Sequence, residues 1–199
     1  MSETIDIPIE EQAAIYAFLK VVFVTEPSLE LLQCLRAPEI LKSFQFSGVD
    51  LDIGSFDESQ LSKLIEDYTQ LFIGPKKHIS LNESIYTDRT PRFWGESTVV
   101  IKKLIGYIGL ELDEHWKQMP DHISVEFELM QKLLEAKQEA LTNQQDAVAD
   151  QCTQAINGLY HDHIIKWVPK VCDQVIEKAQ TSVYKAIGIW TKACVQFSQ

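Results

Sequence analysis

Apolar residues recur at intervals of three and four along most of the chain, which is the spacing of one face of an α-helix. Charged and amide side chains fill most of the positions between them. The clearest apolar runs lie at 9–23, 61–72, 100–108, 123–141, 148–163 and 183–197. No segment alternates apolar and polar residues between hairpin turns, as a half-buried strand would. The pattern therefore predicts an all-α protein of about nine or ten helices.

Prolines and one capping pattern predict helix starts in the N-terminal part of the chain. Pro8 and Pro38 each suit a first helical turn, where a missing N–H leaves no hydrogen bond unmade. A short helix is expected between them over Leu29–Leu35. Asp57, followed three residues later by Gln60, has the arrangement of a capping box and predicts a further helix start.

A long segment without helical period, residues 75–96, follows Gly74, which together with the next proline ends the preceding helix. Loops of this length within a compact domain are commonly functional or disordered. Tyr86, Phe93 and Trp94 lie in this one, whereas disordered segments are usually poor in aromatic residues. The sequence therefore predicts an ordered loop that packs on the helices.

Three further helix boundaries follow from local chemistry. Ser97 or Thr98 is the expected N-cap of the next helix, because a hydroxyl can accept from the free amides of a first turn. That helix is expected to end near Gly109. Pro169 cannot donate a backbone hydrogen bond, so the helix that contains residues 148–163 is expected to end near Trp167.

Residues 119–122 form the predicted joint of the molecule. Pro120 cannot continue a preceding helix and favours extended geometry in the residue before it. Asp121 is the expected N-cap of the helix that follows, since its carboxylate can accept from free amides. The sequence thus predicts an N-terminal helical half over 1–118 and a C-terminal helical half over 123–199, joined by this hinge within one domain.

Composition and charge narrow the class of protein. The chain has 199 residues with 45% hydrophobic content, which is enough for one sizeable core. No apolar run approaches the roughly 18 residues of a membrane span, and the acidic start lacks the features of a signal peptide. We therefore expect a cytoplasmic protein that is not membrane-integral. The net charge of −11 disfavours nucleic-acid binding and would attract a cationic partner, although solubility alone would also explain it.

The reactive side chains form no recognisable metal or cofactor pattern. The cysteines are scattered without paired spacing, which is typical of small core residues: Cys34, Cys152, Cys172 and Cys194. His161 and His163 would point to different faces of a helix, so a solvated helix end is favoured over a metal site. Phosphate-binding glycine loops and the nucleophile elbow are absent from the sequence. We expect no metal, no cofactor and no catalytic residue.

Asp121 and His122 are a candidate acid–base pair, because an acid beside a histidine can move protons. Neighbours on a helix do not face one another, and a capping aspartate beside a first-turn histidine explains both residues structurally. An enzyme that uses this pair therefore remains only as an alternative interpretation.

Aromatic residues provide a second candidate site. Tyr68 and Phe72 lie on a predicted helix, whereas Tyr86, Phe93 and Trp94 lie on the long loop. Aromatic residues at helical spacing usually belong to a core. Loop aromatics held by a helical scaffold can instead line a groove for an apolar peptide.

Five segments resemble, in order, the motifs of the TorD/DmsD family, cytoplasmic chaperones for molybdoenzymes that are exported by the twin-arginine route. DYTQLFIGP (67–75) is similar to the family's (E/D)YxxLFxGP segment. The other segments are ESIY (83–86), GEST (95–98), MPDH (119–122) and VYKAIG (183–188). Met119 stands where the family usually has glutamate, and Tyr86 stands where it often has tryptophan. These two differences affect which client is expected rather than which fold is expected.

The resemblance implies an all-helical chaperone without catalysis. It would bind the twin-arginine leader of a molybdenum-cofactor reductase precursor, and its mature part, and delay export until the cofactor is inserted. Asp121 and His122 would join the aromatic residues in recognising the client, so the expected peptide-binding residues are Tyr68, Phe72, Tyr86, Phe93, Trp94, Asp121 and His122. Weak guanine-nucleotide binding and a domain-swapped dimer beside the monomer are also implied. An all-α adaptor or regulatory protein with another protein partner is the alternative.

Overall fold

A computed structural model describes residues 7–49, 51, 58–74, 77–108 and 118–197. Over these residues the chain forms nine α-helices, two π-helical segments and one 3₁₀ turn, with no β-strand. The prediction of an all-α fold is confirmed. The capping box at Asp57, the helix stop at Pro75 and the helix end at Gly109 lie outside the described residues.

The helices follow one another along the chain with short connections. They are α1 (Ile9–Val24), α2 (Leu29–Leu35), α3 (Pro38–Phe46), α4 (Glu58–Tyr68), α5 (Glu96–Tyr107), α6 (Ile123–Thr142), α7 (Asp146–Gly158), α8 (Ile165–Lys178) and α9 (Ser182–Phe197). The first π segment, Thr69–Ile73, continues α4, and the second, Leu159–Ile164, continues α7. The 3₁₀ turn covers Glu83–Ile85 within the long loop.

By their internal contacts the residues form two compact units. The first unit takes its residues from 1–21 and 82–164, and the second from 22–81 and 165–199. The boundaries fall within α1 and between the second π segment and α8. Both units draw on chain from either side of 119–122, and the division into two halves at that hinge stays a prediction.

In the first unit, α6 provides much of the core. Its apolar residues Ile123, Val125, Phe127, Leu129, Met130, Leu133 and Leu134 are buried. The rings of Phe127 and Tyr16 of α1 lie 5.7 Å apart, and Gln138 Nε2 donates to Glu10 Oε1 at 2.7 Å. Leu141 and Val148, which the pattern assigned to inward stripes, are exposed because they flank the turn between α6 and α7.

In the second unit, α8 and α9 pack closely together. A Cβ atom at Gly188 would lie 3.0 Å from Ile176 Cγ1 and 3.3 Å from the carbonyl oxygen of Cys172, so a glycine allows this approach. The rings of Phe44 and Trp190 stack with centroids 4.8 Å apart and an interplanar angle of 18°. Both side chains are fully buried and anchor the core of this unit.

The predicted helix boundary near Trp167 is wrong. Pro169 lies inside α8, which begins at Ile165 directly after the second π segment. The proline has no N–H to donate to the carbonyl of Ile165. This carbonyl lies at the junction where the hydrogen-bond register changes from π to α, so no regular α-helical hydrogen bond is interrupted further along the helix. Trp167 is fully buried, so the continuous helix is held by packing rather than by local propensity.

Candidate peptide-binding site

The predicted peptide-binding residues are distributed over the two units. Tyr68 and Phe72 belong to the second unit. The first unit contains Tyr86, Phe93, Trp94, Asp121 and His122. Each group has its own local geometry.

Tyr68 and Phe72 form part of a buried aromatic cluster. The ring of Phe72 lies 5.2 Å from that of Tyr68, 6.2 Å from Tyr184 and 6.0 Å from Phe23, in edge-to-face arrangements. Both predicted site residues are buried. The cluster joins the first π segment to α9, which gives these two side chains a role in the core of their unit.

The phenols of this cluster are neutral at physiological pH. Burial, together with the nearby charge of Glu26, raises the pKa of Tyr68 to about 12. Burial also raises the pKa of Tyr184 well above its usual value. The two tyrosines therefore contribute ring surface without adding charge to the interior.

Asp67, directly before this cluster, fixes the two residues that precede α9 from a distant part of the sequence. Its carboxylate accepts hydrogen bonds from the amide of Gln180 at 3.1 Å, and from the amide and hydroxyl of Thr181 at 2.8 and 2.6 Å. A negative group at a helix N-terminus is favourable because it satisfies free amides and opposes the helix dipole. The segments DYTQLFIGP and VYKAIG are joined by the ring contacts of Tyr184 with Tyr68 and Phe72.

In the first unit, Asp88 holds the long loop against the start of α5. Its carboxylate accepts from the amide of Glu96 at 2.5 Å and from the amide of Ser97 at 3.2 Å. The prediction that Ser97 or Thr98 is the N-cap of α5 is wrong. Gly95 is the N-cap residue, and Ser97 and Thr98 lie buried within the first turn. The capping oxygen is supplied from outside the helix.

Gly95 leaves room for this arrangement. A Cβ atom there would lie 1.8 Å from Asp88 Oδ2 and 3.0 Å from Ser84 Cβ, so any other residue would displace the carboxylate. The GEST and ESIY segments consequently meet at Gly95. Packing therefore explains the glycine of the GEST motif, because a larger residue would meet Asp88 and Ser84.

Phe93 and Trp94 project from the same loop. Their exposed fractions are 55% and 64%, and Tyr86 is half-buried. Trp94 has a φ of 60°, a left-handed conformation that is uncommon for a bulky residue and is often found at functional sites. The hydrogen bonds of Asp88 to the two residues after Gly95 hold the backbone in place. This pair is therefore accessible to a partner.

Asp121 is buried, and its hydrogen bonds connect residues 119–122 to the long loop. Its Oδ2 accepts from the amide of Ser84 at 3.0 Å, and its carbonyl oxygen accepts from the amide of Glu83 at 2.9 Å. Asn82 and His122 form an isolated β-bridge beside these bonds. The prediction that Asp121 caps α6 is wrong, because its side chain serves the start of the 3₁₀ turn instead.

His122 is the N-cap of α6. Its Nδ1 accepts from the amide of Ser124 at 3.2 Å and lies 2.7 Å from the Ser124 hydroxyl. Because an amide can only donate, Nδ1 carries no proton and the neutral ring has its proton on Nε2. Burial lowers the pKa of His122 to about 4, opposed by the charge of Asp121. Asp121 and His122, the candidate acid–base pair, therefore both make hydrogen bonds that hold the backbone.

Glu83 was not identified as a candidate by its chemistry, although the ESIY motif contains it. It is almost completely buried, and its Oε2 accepts from His163 Nδ1 at 2.8 Å. Thr87 Oγ1 donates to its other oxygen at 3.4 Å. His163 comes from the second π segment, so this contact joins that segment to the loop.

His161, by contrast, is exposed and lies with its ring edge-to-face on Tyr160 at 4.8 Å. His161 and His163 thus have separate surroundings, as their spacing predicts, but the predicted solvated helix end is wrong, because both lie within the second π segment and α8 follows it directly. In the part of the chain that the structure describes, no group of three or more His, Cys, Asp or Glu side chains is placed to hold a metal.

The comparison with family models gives the decisive match. Residues 28–173 match the model of the nitrate reductase delta subunit family. The chain belongs to this family. Its members include the TorD and NarJ chaperones, and they assist the maturation of molybdoenzymes rather than catalyse a reaction.

The fold is also found in a solved structure. A crystal structure from Archaeoglobus fulgidus, described as that of a candidate redox enzyme maturation protein, is similar with a TM-score of 0.55 and 17% sequence identity. The similarity covers 92% of this chain and 91% of that one. A search of curated proteins finds no match. None of the described helices combines the length and the apolar character that a membrane span requires.

Proposed function

We propose that this protein binds the twin-arginine leader of a molybdenum-cofactor reductase precursor, and its mature part, and delays export until the cofactor is inserted. It would do so in the cytoplasm, by binding alone and without a cofactor of its own. Membership in a maturation family supports the class of client. The observation that carries the proposal is the pair Phe93 and Trp94, which is exposed on a motif-bearing loop that Asp88 joins to the start of α5.

The aromatic pair suits the apolar stretch of such a leader. Exposed rings on a fixed backbone contribute contact area at a small entropic cost, and a rigid site binds more tightly than one that must be ordered. Arg89 and Arg92 lie in the same loop and would repel the leader's arginines. We therefore assign the apolar stretch to Phe93 and Trp94 and the basic start to acidic surface elsewhere, in keeping with the net charge of −11.

The other predicted site residues would act indirectly in the observed conformation. Asp121 and His122 are buried, and their polar atoms hold the 3₁₀ turn and α6. Tyr68 and Phe72 are buried in the second unit. We propose that Asp121 positions the loop, through Ser84, rather than contacting the leader directly.

Calorimetry with a synthetic leader tests the proposal. We expect a dissociation constant of about 1 μM, corresponding to roughly −8 kcal/mol, and a weakening of at least about tenfold in the double variant Phe93→Ala/Trp94→Ala. Leu29→Ala/Val148→Ala is the matched control, because it also removes two exposed apolar side chains. The control should bind like the unchanged protein.

Two results would count against this function. If no twin-arginine leader from the same genome binds, the protein is better explained as an adaptor for another protein partner. If both double variants lose affinity equally, Phe93 and Trp94 have no specific role. Replacing the leader's arginines by lysines should also weaken binding, because lysine lacks the planar, multidentate donor group of arginine.

A further inference from the structure

The loop before α5 and the helix itself have exposed apolar and basic residues within 89–107, and we call these residues the α5 surface. Val100 and Tyr107 lie seven residues apart on α5 and so share one face of the helix, and their exposed fractions are 48% and 86%. Phe93 and Trp94 stand immediately before the helix, where Asp88 folds the loop back onto its first turn. The sequence pattern had placed Val100 on the inward face, but Ile101 and Ile105 are the buried residues.

The α5 surface is basic in an acidic protein. Its exposed cations are Arg89, Arg92, Lys102 and Lys103. Glu96 is the one acidic residue in 89–107, whereas the whole chain has a net charge of −11. Asp88, next to this range, is engaged by backbone amides. Cations and exposed apolar side chains are therefore concentrated together.

We propose that the α5 surface binds the surface of an anionic lipid bilayer. This partner goes beyond the proposed leader-binding function. Tryptophan and tyrosine favour the membrane–water boundary, where the ring meets the acyl region and its polar atom stays hydrated. The exposed arginine and lysine side chains of the loop and of α5 attract anionic headgroups and extend their charges into the headgroup layer.

Exposure distinguishes a bilayer from an acidic peptide as the partner. A peptide groove is concave and leaves its apolar lining partly covered, whereas Tyr107, which the proposed leader site does not use, is 86% exposed. Side chains that protrude this far can enter a soft, planar surface. The negative charge of the rest of the chain acts weakly beyond the screening length of about 8 Å at physiological ionic strength.

Vesicle sedimentation with the full chain tests the proposal. We expect binding to vesicles of equal parts phosphatidylglycerol and phosphatidylcholine, and none to phosphatidylcholine alone. Each cation near an anionic surface contributes about fivefold, so Lys102→Gln/Lys103→Gln should weaken binding about thirtyfold. Lys170→Gln/Lys185→Gln removes the same charge from exposed positions of the second unit and should have no such effect.

A second variant checks the apolar contribution and the independence from leader binding. Tyr107→Ser should weaken vesicle binding while the far-ultraviolet circular dichroism stays unchanged, because the side chain is exposed. Lys102→Gln/Lys103→Gln should still bind the leader, so failure of this inference is distinguishable from failure of the proposed function. The proposal would be overturned if the protein did not bind anionic vesicles, or if the two lysine variants lost the same amount of binding. It would also be overturned if the protein bound a polyglutamate peptide but not vesicles.

Discussion

Aspartates in this protein cap or fix backbone amides that are distant in the sequence. Asp67 serves the start of α9, Asp88 the start of α5 and Asp121 the 3₁₀ turn. Each carboxylate satisfies amides that would otherwise lack partners, and each fixes the position of another segment. Single side chains thus define how the motif segments meet.

Asp67→Ala should lower the free energy of unfolding by about 2–3 kcal/mol, because several charge-assisted hydrogen bonds to Gln180 and Thr181 are lost at a buried site. Urea unfolding followed by circular dichroism measures the loss. Asp146→Ala is the control, since Asp146 is an exposed first-turn acid of α7 and should cost less than about 1 kcal/mol. Equal effects in the two variants would exclude the capping role.

His122 should make stability dependent on pH. Its folded pKa of about 4 lies below the unfolded value of about 6.5, so between these values only the unfolded state binds the proton. Stability should therefore fall as the pH falls through this window, by up to about 3 kcal/mol. His122→Asn can still accept from Ser124 without titrating, so its stability should change less. Parallel pH profiles of urea unfolding for the two proteins would contradict this assignment.

At the scale of elements, the packing of α8 and α9 depends on the absence of a side chain at one helical position. Gly188 lies against Ile176 and the backbone of Cys172. A glycine inside a helix costs about 1 kcal/mol of helix propensity relative to alanine. Close approach of the two helices offsets this cost, because it buries apolar side chains on both.

Gly188→Ala should therefore destabilise the protein by about 1–3 kcal/mol, since the added methyl group meets atoms that are already in contact. Gly106→Ala on α5 should instead be neutral or stabilising by about 0.5–1 kcal/mol, because nothing lies within 4 Å of the added Cβ atom. Thermal unfolding compares the two. Stabilisation by both substitutions would show that α8 and α9 can separate without cost.

At the scale of the whole molecule, each unit contains its own set of motif segments. ESIY, GEST and MPDH are connected by hydrogen bonds and close packing in the first unit, and DYTQLFIGP and VYKAIG are connected by ring contacts in the second. Most residues of these segments are buried or hold backbone amides. The motifs therefore specify the fold first, and they present the exposed residues Phe93 and Trp94 as a consequence.

The net charge of −11 should make leader binding dependent on salt. Raising sodium chloride from about 0.05 to 0.5 M should weaken the binding of a twin-arginine leader several-fold, because the attraction between exposed charges is screened. A leader whose arginines are replaced by glutamines should bind more weakly and lose most of this dependence. Calorimetry across the salt series measures both effects, and equal slopes for the two peptides would exclude the charge contribution.

The sequence by itself determined the fold class and much of the helix layout. The predicted bounds of α2 and the predicted start of α3 agree with the structure because short-range signals set them: a helix break before each, Ser28 as N-cap and Pro38 in a first turn. The family motifs also predicted the class of function, which the family match confirms in its general form. These properties depend on residues that are near one another in the chain.

Tertiary structure decided what local signals could not. Asp88 supplies the oxygen at the start of α5, Asp67 fixes the residues just before α9, and Asp121 serves the loop instead of α6. Aromatic residues of the same character became core at Phe72 and exposed surface at Trp94, because burial depends on which segments pack together and not on residue type. Contacts between residues distant in sequence leave no periodic signal, and for that reason only the folded chain shows them.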